Sequence, residues 1–384
     1  MNYMNYMEEQ MLLINAKIYD EDFILRPYDV RVKDGKFSEI AIRGTLTAEP
    51  NETVLDLSGK ILAPGLIDQH THGALSRDTM DADSESIEII SRHLAAHGIT
   101  SFLPTTMTMG NEHINAVFDN QPETTSGAEV LGYHMEGPFI NVEKKGAQNP
   151  EYVRGGTMEE MNEFLSKANV LLIDIAPEVN NNQEFIKELS DKVICQVGHC
   201  MATYEDTLEA MKNGARGLCH GFNAMPGIHH RNPGPLMASL ELGNYTEIIA
   251  DGLHINPAVV YAAYKMFGPE RMILISDALK TTGNPDGEYM FGGQPIVVTD
   301  GVARVKATGD IAGGSSNVWQ EVRNCVSWGI PQADALRMGS LTPATYLGVA
   351  DRKGSISLGK DADFVITDSE LEIYDVYLKG RRFE

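Results

Sequence analysis

Cysteine is scarce in this chain, with four in 384 residues, and no two of them form a C-x-x-C pair. The four positions are Cys195, Cys200, Cys219 and Cys325. In a chain of this length they provide no pattern from which a disulfide framework could be inferred. We therefore expect each of them to be a small buried hydrophobic residue in a reducing cytosol.

Basic residues are also few: the chain has 31 lysines and arginines but 54 aspartates and glutamates, which gives a formal net charge of −23. Such a charge argues against a nucleic-acid partner and against an anionic membrane surface. An anionic substrate would need a local basic pocket to bind against this overall field. No apolar stretch approaches the roughly 18 residues needed to span a bilayer, so no membrane association is expected.

Targeting and nucleotide-binding motifs are missing as well. The N-terminal stretch MNYMNYMEEQM has no basic segment followed by an apolar run, so we expect no secretory signal and predict a cytoplasmic protein. Neither a Walker loop nor a G-x-G-x-x-G motif after a strand is present, which leaves nucleotide binding unsupported. The hydrophobic content of 42% is nevertheless ample for a large core.

The hydrophobic pattern of the sequence differs between its ends and its middle. Both ends are rich in short strand-like segments, and KDGK at residues 33–36 predicts a hairpin. Between about residues 65 and 280, eight strand candidates alternate with helical patterns, which is the count of a (β/α)8 barrel. We predict an α/β fold in which a TIM-like barrel over residues 64–349 carries a small β-sandwich domain built from residues 1–63 and 350–384. A doubly wound open sheet is the alternative, although it usually has fewer strands.

The segment that follows the eighth strand candidate interrupts this alternation. The stretch GGQPIVVTDGVARV predicts a hairpin. Two further helices are predicted after it, over residues 315–329 and 331–348.

Polar side chains stand at the carboxyl ends of most predicted barrel strands. The first strand ends in LIDQHTH, where His70 and His72 share one face because side chains alternate along a strand. Taken alone, this motif is equally compatible with two histidines packed on a sheet surface. Later strands end in further polar residues: Glu136, His199, His220, Asn223, His254 and Asp277. A barrel brings these strand ends together, so we predict that the imidazoles and carboxylates converge and bind a divalent cation.

These residues, in this order, resemble the amidohydrolase superfamily. Its landmarks are the H-x-H motif after PGLID, the paired histidines of strands five and six, and the aspartate of strand eight. Within the superfamily, the chain is similar to the deacetylases of N-acetylglucosamine 6-phosphate in the segments HMEGPFINVEKKGAQNPEYVR, VGHC, HGFNAMPGIHHRNPG, IADGLH, SDA and IAGG. The similarity covers nearly the whole chain, and FNAMPGIHHRNPG is its most specific segment. It implies hydrolysis of the acetamide to glucosamine 6-phosphate and acetate, in amino-sugar catabolism.

The resemblance also implies roles for individual residues. It makes Glu136, His199 and His220 the ligands of a catalytic divalent metal, commonly zinc, and Asp277 the catalytic acid/base. His70 and His72 are intact here, whereas some members lack this pair, so one or two ions per subunit are expected. Substrate contacts are expected from Ala147, Gln148, Asn223, Ala224, Arg231, His254, Ile311, Ala312 and Gly313. Gln148 stands where some members have a substrate-contacting histidine, so that contact is altered here.

Two of these residues have roles that also follow from their chemistry. His254 is suited to polarise the carbonyl or to stabilise the developing oxyanion, and we count it with Asp277 as catalytic. The loop GIHHR supplies Arg231 as a bidentate donor for the phosphate. In the family that the chain resembles, the matching arginine reaches the phosphate from the neighbouring subunit. We therefore predict a homodimer in which Arg231 crosses the interface.

Other functions remain open from the sequence. The galactosamine epimer is an alternative substrate that the sequence does not exclude. A cyclic-amide hydrolase of the dihydroorotase or hydantoinase type usually carries a bridging lysine where this chain has Glu136, and it needs no phosphate clamp. A non-catalytic assembly protein on the same scaffold would be expected to have lost ligands, and none is missing here.

Overall fold

The N-terminal part of the chain consists of short strands. The computed structural model describes residues 10–384, so the repeated MNY triplets lie outside the described residues. The strands are β1 (Met11–Ile14), β2 (Lys17–Tyr19), β3 (Leu25–Arg26), β4 (Tyr28–Lys33), β5 (Lys36–Ile42), β6 (Thr53–Asp56) and β7 (Ile61–Pro64). The predicted hairpin is β4–β5, and its turn residues Asp34 and Gly35 have φ values of 53° and 73°. A two-residue turn of type I′ requires positive φ at both positions, which explains the Asp-Gly pair.

The middle of the chain alternates strands and helices. Its strands are β8 (Leu66–Thr71), β9 (Gly73–Ala74), β10 (Arg77–Asp78), β11 (Ile99–Thr106), β12 (Glu129–Val130), β13 (Tyr133–Met135), β14 (Val170–Ile175), β15 (Ile194–Val197), β16 (Gly217–Leu218), β17 (Tyr245–Ile248) and β18 (Met272–Leu274). Its helices are α1 (Ser84–Ala96), α2 (Asn111–Asp119), α3 (Met158–Leu165), α4 (Asn182–Leu189), α5 (Tyr204–Lys212), α6 (Gly234–Glu241) and α7 (Pro257–Phe267). The strands β8, β11 and β13–β18 pair in parallel in chain order.

The parallel sheet closes on itself beside its first strand. The N–H of Asp277 donates to the carbonyl of His70, and the N–H of His72 donates to the carbonyl of Ala278. Thr71 also pairs in parallel with Ala278. The result is a near-closed barrel of eight parallel strands, which confirms the predicted TIM-like fold. An open doubly wound sheet is excluded because its two outer strands would not meet.

Helix α1 illustrates how the helices pack on the barrel. Asp83 caps its N-terminus by accepting a hydrogen bond from the N–H of Ser86. Ile87, Ile90 and Leu94 recur at helical spacing and are buried in the main core. Each such side chain stabilises the fold by about 1.5–3 kcal/mol. Among residues 10–384, no helix combines the length and apolar character needed to cross a lipid bilayer.

A small antiparallel sheet follows the eighth barrel strand. It consists of β19 (Gly287–Phe291), β20 (Gln294–Thr299) and β21 (Val302–Val305), and we call residues 287–305 the lobe. The predicted hairpin is β20–β21, to which β19 adds a third strand. Three helices come next: α8 (Val318–Ser327), α9 (Gln332–Met338) and α10 (Leu341–Tyr346).

The prediction of one helix over residues 331–348 is wrong, because α9 and α10 are separate helices. Ser340 has φ −135° and ψ −79°, outside helical geometry. Pro343 explains the break, since it has no N–H to donate to the carbonyl of Gly339 and its ring would clash there. In the first turn of α10, in contrast, a proline is tolerated because that N–H would have no intrahelical partner.

The C-terminus returns to the N-terminal strands. The strands β22 (Phe364–Thr367), β23 (Ile373–Leu378) and β24 (Arg381–Arg382) join a sheet ordered β24-β23-β22-β7-β2-β3, and a second sheet is ordered β5-β4-β1-β6. Leu13, Val30 and Phe37 of the second sheet share one core with Leu62 and Phe364 of the first. The predicted β-sandwich from both termini is therefore confirmed. The domain boundaries after residue 63 and before residue 350 stay a prediction. All four cysteines are buried free thiols, as expected.

Candidate active site

A cavity of about 460 Å³ lies at the carboxyl ends of the barrel strands. Most of the predicted site residues line it: His72, Glu136, Ala147, Gln148, His199, His220, Asn223, Ala224, His254, Asp277, Ile311, Ala312 and Gly313. His70 is fully buried and touches the cluster from within the barrel. Arg231 is exposed on the loop after β16 and does not line the cavity of its own chain.

Three of these residues form a compact group of ligand atoms at one side of the cavity. Oε1 of Glu136 lies 2.9 Å from Nε2 of His199 and 3.2 Å from Nε2 of His220. The two imidazole nitrogens are 3.0 Å apart. A carboxylate oxygen and two imidazoles so close together, all buried, are suited to hold one metal ion.

The hydrogen bonds of His199 determine which of its nitrogens carries the lone pair. Its Nδ1–H donates to the carbonyl of Lys144 over 2.7 Å, so Nε2 of the neutral ring is an acceptor. This acceptor faces the carboxylate of Glu136, another acceptor. Two acceptors at this distance repel each other unless a cation or a proton lies between them. The donor set therefore fits a divalent cation.

A second group shares Glu136 with the first. Nε2 of His72 lies 3.3 Å from Oε2 of Glu136 and 3.4 Å from Oδ1 of Asp277. Nε2 of His70 lies 3.4 Å from the same Asp277 oxygen. The four residues can hold one ion together. Because Glu136 directs one oxygen to each group, two adjacent cations could share it.

Hydrogen bonds to residues outside the ligand groups also orient His70 and His72 of the second group. His72 Nδ1–H donates to the carbonyl of Thr105 over 3.1 Å, and His70 Nδ1–H donates to Glu247 over 3.3 Å. In the neutral rings both Nε2 atoms are thereby left as acceptors that face carboxylates, where a proton or a cation can bind. Nε2 of His70 makes no hydrogen bond to any residue between 10 and 384. A cation between this buried nitrogen and the carboxylates would satisfy both.

Mutual electrostatic attraction changes the pKa values in this cluster. Burial lowers the pKa of His72, but Asp277 and Glu136 outweigh this effect and raise it to about 9. Burial raises the pKa of Asp277, but His70 and His72 outweigh it and hold this pKa below its usual value. The pKa of Glu136 is well below its usual value, because its histidine neighbours, His199 foremost, outweigh burial. Both carboxylates are therefore ionised at neutral pH.

Backbone conformation aims several of these side chains into the cavity. His199, His220 and Asp277 have φ values of 44°, 23° and 46°, in a region that residues other than glycine rarely adopt. All three stand just after barrel strands, where the chain turns toward a helix or a loop. Such local strain persists at functional sites because the surrounding structure enforces it.

His254 is held by a carboxylate of its own loop. Its Nδ1–H donates to Oδ2 of Asp251 over 2.7 Å, and Asp251 also accepts the backbone N–H of His254. Burial lowers the pKa of His254, but the hydrogen bond to Asp251 outweighs burial and raises it. The ring therefore presents its other nitrogen to the cavity, with a raised tendency to carry a proton there.

Gln148 lies against a predicted metal ligand. The N–H of Thr108 donates to Oε1 of Gln148 over 2.8 Å, which fixes the orientation of the amide. Nε2 of Gln148 then donates to Oε2 of Glu136. The amide thus orients the shared carboxylate, whereas a contact from Gln148 to substrate stays a prediction.

Glu247, on β17, was missed by the sequence analysis. It is fully buried, and it accepts hydrogen bonds from Gln69, Gln196 and the backbone N–H of His220 besides the one from His70. Burial raises its pKa, but these partners, His70 foremost, outweigh burial and lower it to about 2. A glutamate inside the apolar strand TEII was the available signal, because a carboxylate is rarely buried unless it is paired.

Comparisons with known proteins agree with this geometry. The profile of the amidohydrolase family matches residues 61–382. The chain therefore belongs to the amidohydrolase family. It is 34% identical to the N-acetylglucosamine-6-phosphate deacetylase of Bacillus subtilis (strain 168), over 97% of each chain. The resemblance inferred from the sequence is thereby confirmed.

Two further relatives bear on the substrate. The N-acetylgalactosamine-6-phosphate deacetylase of Escherichia coli O157:H7 is 34% identical, with 95% of this chain and 97% of the relative covered. A mutant N-acetyl-D-glucosamine-6-phosphate deacetylase from Mycobacterium smegmatis, solved in complex with N-acetyl-D-glucosamine-6-phosphate, superposes with a TM-score of 0.88 and 28% identity, covering 98% of this chain and 99% of the other. The family thus includes enzymes named for either epimer.

Proposed function

We propose that this protein hydrolyses the acetamide of N-acetylglucosamine 6-phosphate to glucosamine 6-phosphate and acetate. The observation that carries the proposal is the pair of ligand groups that share Glu136 beside Asp277, in a chain similar to deacetylases over nearly its full length. N-acetylgalactosamine 6-phosphate is the second candidate substrate, because a relative of equal identity is named for it. The proposed substrate is a charged sugar phosphate, which supports a cytoplasmic location.

Glu136, His199 and His220 would hold the catalytic cation, which we propose to be zinc, and His70 and His72 would hold a second ion together with Glu136 and Asp277. The orientation of each histidine by an outer partner supports this assignment for His70, His72 and His199. When bound, a divalent cation in such a site polarises the amide carbonyl and lowers the pKa of a water molecule to about 7.

The proton transfers fall to residues of this chain. Asp277 is ionised and borders the ligand groups, so it can accept a proton from the attacking water. The water oxygen bonds to the acetyl carbon, the carbon–nitrogen bond breaks, and Asp277 returns the proton to the departing amine. His254, oriented by Asp251, can donate a hydrogen bond to the carbonyl oxygen as it becomes an oxyanion.

The test is an acetate-release assay on purified protein. We expect rapid release from N-acetylglucosamine 6-phosphate, much slower release from the unphosphorylated sugar, loss of activity with a chelator and recovery with added zinc. The galactosamine epimer, assayed in parallel, decides between the two candidate substrates. Hydrolysis of dihydroorotate or a hydantoin without acetate release would instead assign a cyclic-amide hydrolase, and inactivity on every substrate a non-catalytic protein.

Recognition of the phosphate requires basic side chains, and the cavity of one chain has few of them. Among the described residues that line it, Lys144 is the one lysine or arginine, and the acidic Glu143 and Asp310 line the same cavity. Arg231 is exposed and outside this cavity, on a loop that is free to project from the barrel. We propose that Arg231 reaches the phosphate in the cavity of a partner subunit, in a homodimer with two-fold symmetry.

Replacement of Arg231 with alanine is expected to raise KM for the phosphorylated sugar by about 10- to 100-fold, because a hydrogen bond to a charged group is worth about 1.5–3 kcal/mol. The value of kcat should change little, since the arginine binds a part of the substrate that does not react. Steady-state kinetics measure both, and the unphosphorylated sugar is the control, because its slow turnover should be the same in both proteins.

Mixing two impaired proteins tests whether Arg231 acts across the interface. An exchanged dimer of Asp277→Asn and Arg231→Ala subunits has one cavity with an intact Asp277 and a borrowed intact Arg231. Activity at low substrate concentration should therefore exceed that of either parent. If verified heterodimers show no gain, the shared-site arrangement is wrong.

A further inference from the structure

One part of the active-site cavity is apolar, although most of the residues that line the cavity are polar. Leu279, Phe291, Ala147 and Ala312 line it there, and all four belong to or pack on one hydrophobic cluster. Phe291 is only 3% exposed. Its ring packs edge to face on that of His72, with centroids 5.5 Å apart and planes at 77°. Phe291 thus lies directly beside the groups proposed to act on the amide.

A second cavity, of about 180 Å³, is bordered by Met290, Gly292 and Gly293 of the lobe. Four methionines line it, together with charged residues and two glycines: Met80, Met107, Met109 and Met290. Successive side chains of a strand point to opposite faces, so Phe291 faces the active-site cavity while Met290 borders the second one. At Gly292 a Cβ atom would lie 2.7 Å from Cε of Met107, so this segment rests directly on the methionines.

We propose that Phe291 determines acyl-chain length, by closing the apolar end of the active-site cavity beside His72. The proposal rests on the deacetylase function proposed above. The acyl methyl is the one fully apolar end of an N-acetylhexosamine phosphate, and its carbon is bonded to the reacting carbonyl. With the carbonyl at Asp277 and the ligand groups, the methyl group would meet the apolar part of the lining, and the Phe291 ring would limit the length of the chain there.

Methionines of the same hydrophobic cluster can adapt to the space that the ring occupies. Met107 belongs to this cluster, and Met80 and Met109 pack on it. Methionine side chains are unbranched and flexible, and they adapt their shape to apolar groups. Removal of the ring should therefore enlarge the apolar end of the active-site cavity and admit longer acyl groups.

The experiment compares the N-acetyl, N-propionyl and N-butyryl derivatives of glucosamine 6-phosphate, with release of glucosamine 6-phosphate as the common readout. In Phe291→Ala, the ratio of kcat/KM for the butyryl over the acetyl substrate should rise by at least about tenfold, since one methylene in an apolar pocket changes this ratio by about 10- to 200-fold. Phe291→Leu keeps the cluster filled and should give a smaller rise. This second variant also serves if the alanine protein does not fold.

The matched control is Ile296→Ala. Ile296 is fully buried in the same cluster of the lobe but lines neither cavity, so its loss should leave the substrate ratio unchanged. An unchanged ratio in both Phe291 variants, or an equal rise in the control, would overturn the proposal while acetate release by the unmodified protein upholds the deacetylase function. Absence of acetate release from the unmodified protein would overturn both.

Discussion

Replacing His199 with alanine is expected to remove the bound metal and the activity together. His199 supplies one of three ligand atoms in the group around Glu136, and a three-ligand site does not tolerate the loss of one. Loss of a residue that only hydrogen-bonds to a metal ligand costs about 10- to 100-fold in metal affinity or activity. Loss of a ligand itself should therefore lower activity by more than about 100-fold. Metal analysis of the purified protein and the acetate assay measure the two effects.

The control for this variant is His113→Ala. The side chain of His113 is 45% exposed, on helix α2 and outside the cavity. The control should retain the metal content and activity of the unmodified protein. Stoichiometric metal with normal activity in His199→Ala would remove His199 from the ligand set.

Changing Asp277 to asparagine should lower kcat by about 100-fold or more. Asparagine keeps the shape of the side chain, but its amide cannot accept the proton that the attacking water must lose. The ligands Glu136, His199 and His220 are untouched, so the metal held by that group should remain. Because the substrate-binding residues are also unchanged, KM should change far less than kcat. Steady-state kinetics and metal analysis on the same preparation measure these quantities.

A matched control for this change is Asp300→Asn, which alters the same functional group on an exposed turn of the lobe. Its kcat should equal that of the unmodified protein. An essentially unchanged kcat in Asp277→Asn would exclude Asp277 as the base. Loss of the ion held by Glu136, His199 and His220 in step with kcat would mean that Asp277 is needed to hold that ion, and it would overturn its assignment as the base.

The positions of the ligand residues could be predicted because they depend on local patterns. Alternation along β8 places His70 and His72 on one face, and the strand-helix alternation of the chain predicts a barrel whose strand ends meet. Glu136, His199 and Asp277 each follow such a strand. Their convergence required only the general rule that parallel barrel strands present their carboxyl ends at one side.

The partners of these residues could not be predicted in the same way. Gln148 reaches Glu136 from a loop, and Glu247 reaches His70 from across the barrel, 177 positions further along the chain. Such contacts have no periodic signal, because they depend on how a loop or a distant strand packs. The break between α9 and α10, in contrast, has a local cause in Pro343, although the apolar spacing alone predicts one continuous helix.

The amino-acid sequence by itself determined the class of fold, the candidate ligand residues and the family, because hydrophobic periodicity and short motifs are properties of neighbouring positions. Only the tertiary structure decided which imidazole nitrogen faces each carboxylate, how Glu136 is shared between two groups, and where Phe291 lies in the active-site cavity. These features arise from packing between segments far apart in the chain, where a shift of about 1 Å alters the geometry of a site.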